Sequence, residues 1–289
     1  MKQDKREFYV GYLPLPAGIR RTLWGVVPAL VVAVVAVGVW RAGGQADPGD
    51  GTWDLSEVTE YRGVLVVEPY PMVVVPGAET ETVAAGASDE GSEEVSGAGD
   101  VSEEVPGVFP GVFPGGMKTV LLASQVKVGV RERVSEWAGR WVTVRGNLAA
   151  RDGRELLTLL DDASGIEAWD GGGDAPERVP PAGEAQGRFR LTGQIIDPKC
   201  YLGAMKPGEG KIHKACATLC LAGGIPPMFM TRDAADRRSL YLLTDADGGA
   251  VFETIRPYVA DPITAEGVVE RRGDLAWFKI EPGTVERLR

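Results

Sequence analysis

An uncharged apolar segment near the N-terminus divides this 289-residue chain into two unequal parts. Residues 23–40 read LWGVVPALVVAVVAVGVW and contain no charged side chain. A helix of this length rises about 27 Å, which is close to the roughly 30 Å thickness of a bilayer's hydrocarbon core. The segment therefore predicts one transmembrane helix, and the chain is expected to be a single-pass membrane protein.

The charges on either side of this segment predict its orientation. The N-terminal side carries Lys2, Lys5, Arg6, Arg20 and Arg21, whereas the C-terminal side has Arg41 followed by Asp47, Asp50 and Asp54. Because basic residues stay on the cytoplasmic side, residues 1–22 are expected to be cytoplasmic and the remaining chain periplasmic, outside the inner (cytoplasmic) membrane. The alternative is a cleaved signal peptide, for which RAGGQA after the apolar segment offers a candidate cleavage site.

Much of the acidity of the chain lies in one low-complexity stretch. The formal net charge is −10, and residues 76–116 contain nine Asp or Glu residues and no Lys or Arg. Gly, Ser and Pro fill much of the rest, so the stretch cannot bury enough apolar surface to offset its ordering entropy. We expect a disordered acidic insert. The acidic balance also argues against nucleic acid as a partner.

The segments that flank this insert resemble the segment after them, which predicts a tandem repeat. RGVLVVEPYPMVVV (62–75) parallels TGQIIDPKCYLGAM (192–205), and residues 129–160 parallel residues 249–280. In the second pair Gly146 and Gly267 fall at equivalent points of a strand, and each strand leads into a hairpin turn. The order of strands, with a short helix before the last strand pair, resembles the OB-fold, a small partly open barrel. The alternative for each repeat is an SH3-like or ferredoxin-like fold.

We therefore predict a mainly β chain with an N-terminal transmembrane helix and two tandem OB-like small barrels, each with a short helix. The first OB-like domain is predicted over residues 57–170 and is interrupted by the insert 76–116. The second is predicted over residues 187–289 and contains a Cys/His loop.

All three cysteines and the one histidine of the chain lie between residues 200 and 220. Residues 211–221 contain good helix formers, and on a helix His213, Cys216 and Cys220 would share one face. Cys200 is expected at the end of the preceding strand. Three thiolates and an imidazole suit tetrahedral zinc, and a set of His and Cys ligands also suits copper(I). The alternative is a disulfide between Cys200 and either Cys216 or Cys220.

Two resemblances accompany these motifs. The stretch GQIIDPKCYLGAMKPGEGKIHKACATLC is similar to uncharacterised bacterial membrane-anchored proteins of the same design, which implies no particular activity. In architecture alone, the chain also resembles the haem chaperone of cytochrome c maturation, with its single anchor and exported OB barrel. That family attaches haem through a histidine near the C-terminus, and the C-terminal WFKIEPGTVERLR has none.

The expected function is that of a non-enzymatic binding or assembly module with a protein partner in or near the membrane, accessory to a redox or metal-dependent complex. The alternative is a zinc- or copper-binding or thiol redox protein that uses Cys200, His213, Cys216 and Cys220. Catalysis is not expected, because the sequence has no phosphate-binding loop, dinucleotide fingerprint or nucleophile elbow. Asp197 before Pro198 is interpreted as a turn residue rather than a catalytic acid. His213 lies one helical turn from Cys216, but nothing in the sequence supplies an oxyanion hole for a cysteine nucleophile.

Overall fold

The computed structural model describes residues 17–43, 51–76, 116–172 and 179–288. Most of the predicted cytoplasmic segment 1–22 and nearly all of the predicted disordered insert 76–116 lie outside the described residues. The chain forms two compact units, Met1–Pro48 and Gly49–Arg289.

The described part of the first unit is a single helix, α1 (Ala17–Gly43), which extends beyond the predicted segment 23–40 at both ends. Its stretch Gly18–Arg41 is long and apolar enough to cross a membrane. Length and composition suit a membrane anchor and also a signal sequence. A proline, Pro28, lies inside the helix.

The second unit is mainly β and begins with a sheet that closes on itself. Its strands are β1 (Thr52–Trp53), β2 (Thr59–Val66), β3 (Met72–Pro76), β4 (Met117–Ser124), β5 (Trp141–Arg151), β6 (Arg154–Leu159) and β7 (Ile166–Ala168). The five long strands pair in the order β5-β2-β3-β4-β6, and an additional pairing of β5 with β6 completes a closed barrel. The pairing of β4 with β6 is parallel, and the others in the barrel are antiparallel.

A second sheet follows in the chain. Its strands are β8 (Glu184–Ile196), β9 (Met228–Arg232), β10 (Arg238–Thr244), β11 (Ile263–Arg272), β12 (Leu275–Ile280) and β13 (Glu286–Arg287). The strands pair in the order β12-β10-β9-β8-β11-β13, with an additional pairing of β11 and β12. Here too a single pairing, β10 with β12, is parallel among those described.

Within the described residues, three short α-helices connect these strands. The helix α2 (Arg131–Val134) lies between β4 and β5, α3 (Lys214–Ala222) lies between β8 and β9, and α4 (Phe252–Ile255) lies between β10 and β11. Helices α2 and α4 each continue as a 3₁₀ turn. The short helix predicted before each final strand pair is thus present in both sheets.

Gly146 and Gly267 allow close approach of neighbouring strands. A Cβ atom at Gly146 would collide with the carbonyl oxygen of Thr158 on β6, and one at Gly267 would collide with that of Lys279 on β12. Glycine inside a strand otherwise weakens it, so its presence at both points indicates that the backbones must meet closely there.

Apolar side chains form three clusters in the second unit. One fills the first sheet around Leu65 and Leu122, and another fills the second sheet around Phe229 and Phe278. The third cluster is shared, because it joins Met72 and Leu156 of the first sheet to residues of the second such as Trp277. The two sheets therefore pack against each other through a continuous apolar core.

Candidate metal centre

Cys200, Cys216 and Cys220 come together beside the shared core. Cys200 lies in a helical turn, Cys200–Ala204, that follows β8, and the other two cysteines lie on α3. The three Sγ atoms all lie within 4.8 Å of one another. Cys200 and Cys220 are buried, and Cys216 is half-buried. The structure thus brings together the three predicted sulfur ligands.

The local backbone differs from the predicted one in two ways. Strand β8 ends at Ile196, so Cys200 lies in the turn beyond the strand rather than at its end. The α-helix begins at Lys214, and His213 ends a 3₁₀ turn that starts after Gly210. Gly210 has a φ of 76°, which glycine adopts readily and which prevents the helical segment from extending back through residue 210.

His213 belongs to a second, overlapping group. Its ring, a carboxylate oxygen of Asp197 and the sulfur of Cys200 lie within 4.8 Å of one another. Within the described residues the four predicted ligands do not form one such group, because His213 and the two helix cysteines are grouped separately around Cys200. The predicted set is therefore arranged as three thiols with an Asp–His pair beside one of them.

Two buried polar atoms of the Asp–His pair lack a hydrogen-bond partner among the described residues. They are Oδ2 of Asp197 and Nε2 of His213. The other oxygen of Asp197, Oδ1, accepts a hydrogen bond of 3.0 Å from the Lys199 backbone N–H, which is the predicted turn. Since unpaired buried polar atoms are rare in folded proteins, Asp197 and His213 are available to a ligand.

Protonation follows from burial at this site. A hydrogen bond with the Cys220 thiol, together with burial, raises the pKa of Cys200 well above its usual range. Burial lowers the pKa of His213, so its imidazole is neutral at pH 7. A neutral imidazole is the form that binds metals. A thiol must lose its proton before it binds, so metal binding here would release protons.

A lysine from the first sheet contacts the cluster. Lys127 lies in the loop after β4, and its Nζ is 2.6 Å from the Sγ of Cys216. This hydrogen bond raises the pKa of Lys127. The contact places an ammonium beside the least buried of the three thiols.

A second lysine holds that loop in place. Lys199 is buried, and its Nζ donates to the carbonyl oxygens of Ser124, Gln125 and Val126 at 2.8, 2.6 and 2.8 Å. Burial lowers the pKa of Lys199. The loop is also close to the end of α3, where the Gly129 N–H donates to the Gly223 carbonyl at 2.7 Å. The loop that follows β4 of the first sheet therefore lies against the cysteine-bearing connection of the second sheet.

Sequence reasoning missed several of these residues. Lys127 is far from the cysteines along the chain, and no motif connects it with them. Asp197 was interpreted only as a turn residue, although its carboxylate lies beside Cys200 and His213. Met205, whose Sδ is 3.4 Å from the Sγ of Cys216, lies within the cysteine-rich segment, and its sulfur was the available signal.

Comparison with known proteins adds no family assignment. No protein-family model, curated protein or solved structure matches the chain.

Proposed function

We propose that this protein is a membrane-anchored extracytoplasmic module that binds one soft metal ion, zinc or copper(I), through Cys200, Cys216 and Cys220. The observation that carries the proposal is the mutual proximity of the three thiols, all within 4.8 Å. His213 and Asp197 beside Cys200 supply a fourth ligand or orient the thiolates. Both roles are common for histidine and carboxylate groups at metal centres.

The separation of the sulfur atoms supports a metal ion over a disulfide. The Sγ atoms of Cys200 and Cys216 are 3.9 Å apart. A tetrahedral ion with metal–sulfur bonds of about 2.3 Å places two sulfurs about 3.8 Å apart, whereas a disulfide needs about 2.05 Å. All three cysteines are free thiols in the structure. A metal centre would use all three cysteines as ligands, whereas a single disulfide would leave the third cysteine without a role.

We further propose that the two sheets are tandem OB-like barrels derived from one repeated unit. Both have five main strands with the same order of pairings, in which the third strand is parallel to the fifth. Both also place a short helix between the third and fourth strands. Gly146 pairs with Leu159 as Gly267 pairs with Ile280, so the glycines occupy matching places in the two hairpins.

The proposed location rests on α1 and on the charges around it. The positive flank before the helix favours a cytoplasmic N-terminus, and the sheets would then lie in the periplasm. In that compartment thiols are exposed to oxidation. A bound metal ion would protect the thiols from oxidation. Without the ion, two of the three thiols would form a disulfide.

Metal analysis of the purified protein tests this proposal. We expect about one zinc or copper ion per full-length chain when the protein is isolated from membranes in detergent without chelator, since the three thiols build one centre. Thiol titration should find three reactive thiols only after a chelator has removed the ion. A protein without metal that has one free thiol per chain would contradict the proposal and establish the disulfide.

A second candidate function, protein binding, is favoured by a groove on the second sheet. The groove has a volume of about 320 Å³ and crosses β8 and β9. The residues that line it include Thr192, Gln194, Lys211, Met230, Arg232 and Leu288. The second strand of an OB barrel and the loop between its first two strands contribute to its usual binding face. The same loop carries the cysteines, so a metal ion there would fix one wall of the groove.

Photocrosslinking in intact membranes tests this second function. A photoreactive side chain placed at Lys211, beside the groove, is expected to give one discrete adduct with a membrane or periplasmic protein. The control is the same side chain at Arg62, which is exposed on β2 of the first sheet. Equal labelling from both positions, or none from Lys211, would remove the groove as a partner site.

A further inference from the structure

The cysteine cluster has a fourth sulfur atom on its exposed side. The Sδ of Met205 lies 3.4 Å from the Sγ of Cys216. Met205 is 46% exposed, whereas Met72, Met228 and Met230 are at most 1% exposed within apolar clusters. A methionine that serves only as core packing would be buried as these three are. Met205 instead lies at the surface with its sulfur in contact with the thiol.

The sulfur atoms form a series from the surface inward. Met205 is the most exposed, Cys216 is half-buried, and Cys200 and Cys220 are 4% and 1% exposed. An ion that arrives from solvent would meet the thioether before the buried thiols. The series therefore provides a path into the centre as well as a set of ligands.

Thioether sulfur discriminates between the two metals that the thiols can bind. It is a soft, neutral ligand that suits copper(I). Zinc is bound in proteins by thiolate, imidazole and carboxylate ligands. A methionine in contact with the cluster thus adds affinity for copper(I) and little for zinc.

The charge near Cys216 is suited to a thiolate centre. The ammonium of Lys127 lies 2.6 Å from the Sγ of Cys216 and would offset part of the negative charge that three thiolates bring. In a partly buried site such compensation matters, because an uncompensated charge there is costly.

We propose that Met205 is the outermost ligand of this centre and makes it a copper(I) site. The inference rests on the proposed function, namely that the three cysteines hold a soft metal ion. It adds a ligand, Met205, and a choice of metal. The geometry on which it rests is the 3.4 Å contact between Met205 and Cys216 at the exposed end of the thiol cluster.

The substitution Met205→Leu tests the inference, because leucine keeps the size and apolar character of methionine without its sulfur. Full-length protein in detergent is reduced and kept under anaerobic conditions. Its affinity for copper(I) is measured by competition with a copper(I)-specific chelator, and that for zinc with a zinc chelator. We expect the copper(I) dissociation constant to rise by about tenfold, as for other losses at the edge of a metal site, and the zinc value to stay within about twofold of wild type. The matched control is Met117→Leu, a half-buried methionine at the start of β4, which should change neither value.

Other outcomes separate this inference from the proposed function. Unchanged copper(I) affinity in Met205→Leu would overturn the role of Met205 while the thiol centre stands. An equal loss for both metals would also overturn it, since the side chain would then act only by shaping the loop. If the wild-type protein binds neither metal, the proposed function fails and the inference fails with it.

Discussion

Replacement of Cys216 by serine is expected to abolish stoichiometric metal binding without unfolding the protein. Cys216 is half-buried and lies at the centre of the contacts, with Cys200 at 3.9 Å and Lys127 at 2.6 Å. Serine is smaller and its hydroxyl is not a soft ligand, so the ion would lose one of its three thiolates. We expect affinity to fall by at least about 100-fold, the upper end of the loss seen when an outer-shell partner of a metal ligand is removed.

The control for this substitution lies on the same helix. Leu219→Ser changes a side chain that is 61% exposed on α3 and should leave the affinity for metal unchanged. Both variants are compared with wild type by metal content after dialysis and by circular dichroism. A Cys216→Ser protein that is folded and still retains one ion per chain would contradict the assignment of Cys216 as a ligand.

Substitution of Lys199 by methionine is expected to destabilise the second unit by about 3 kcal/mol. The ammonium of Lys199 donates to three backbone carbonyls of residues 124–126, and the lysine itself is 4% exposed. Methionine preserves the length of the side chain but donates no hydrogen bond, so the carbonyl groups of this loop would lose their buried partner. Hydrogen bonds with a charged group contribute about 1.5–3 kcal/mol, and a carbonyl left unpaired adds to the loss.

The free energy of unfolding of the full-length protein, measured by urea titration in detergent, tests this expectation. Lys206→Met is the matched control, because Lys206 is exposed and lies in the same connection between β8 and α3. The control should change the free energy of unfolding by less than about 0.5 kcal/mol. A change below about 1 kcal/mol for Lys199→Met would show that water replaces the lysine in its contacts with the loop.

The Lys199 substitution should also alter the surroundings of the cysteine cluster. The loop that Lys199 holds continues into Lys127, which contacts Cys216. If the loop is released, Cys216 loses its neighbouring ammonium. One segment, residues 124–128, therefore affects two properties. Its contacts with Lys199 help to hold the two sheets together, and its Lys127 contacts the cysteine cluster.

The elements that were predicted well are those encoded by local patterns. The uncharged segment 23–40 predicted a long apolar helix, since a membrane span needs only length and hydropathy. The strand pairs around Gly146 and Gly267 were predicted from the alternation of apolar and polar residues, an internal glycine and a turn. The β-rich class and the short helix before each last pair follow from the same local signals.

The proximity of the cysteines was predictable for a similar reason. Cys200, His213, Cys216 and Cys220 are close in sequence, so their proximity in space required only a loop and a short helix. The division of these residues into two groups around Cys200 could not be predicted from the local sequence. The start of α3 at Lys214 separates His213 from Cys216 and Cys220 and turns the histidine towards Asp197 and Cys200.

The sequence by itself determined the apolar N-terminal helix, the mainly β character of the remainder and the segment that carries the three cysteines and the histidine. Only the tertiary structure decided that the two sheets share an apolar core, with Trp277 of one and Met72 of the other in the same cluster. It also decided that Lys127 lies against Cys216. The physical reason is that these contacts join residues far apart in the chain, and strand pairing and burial of apolar surface create them only when the whole second unit has folded.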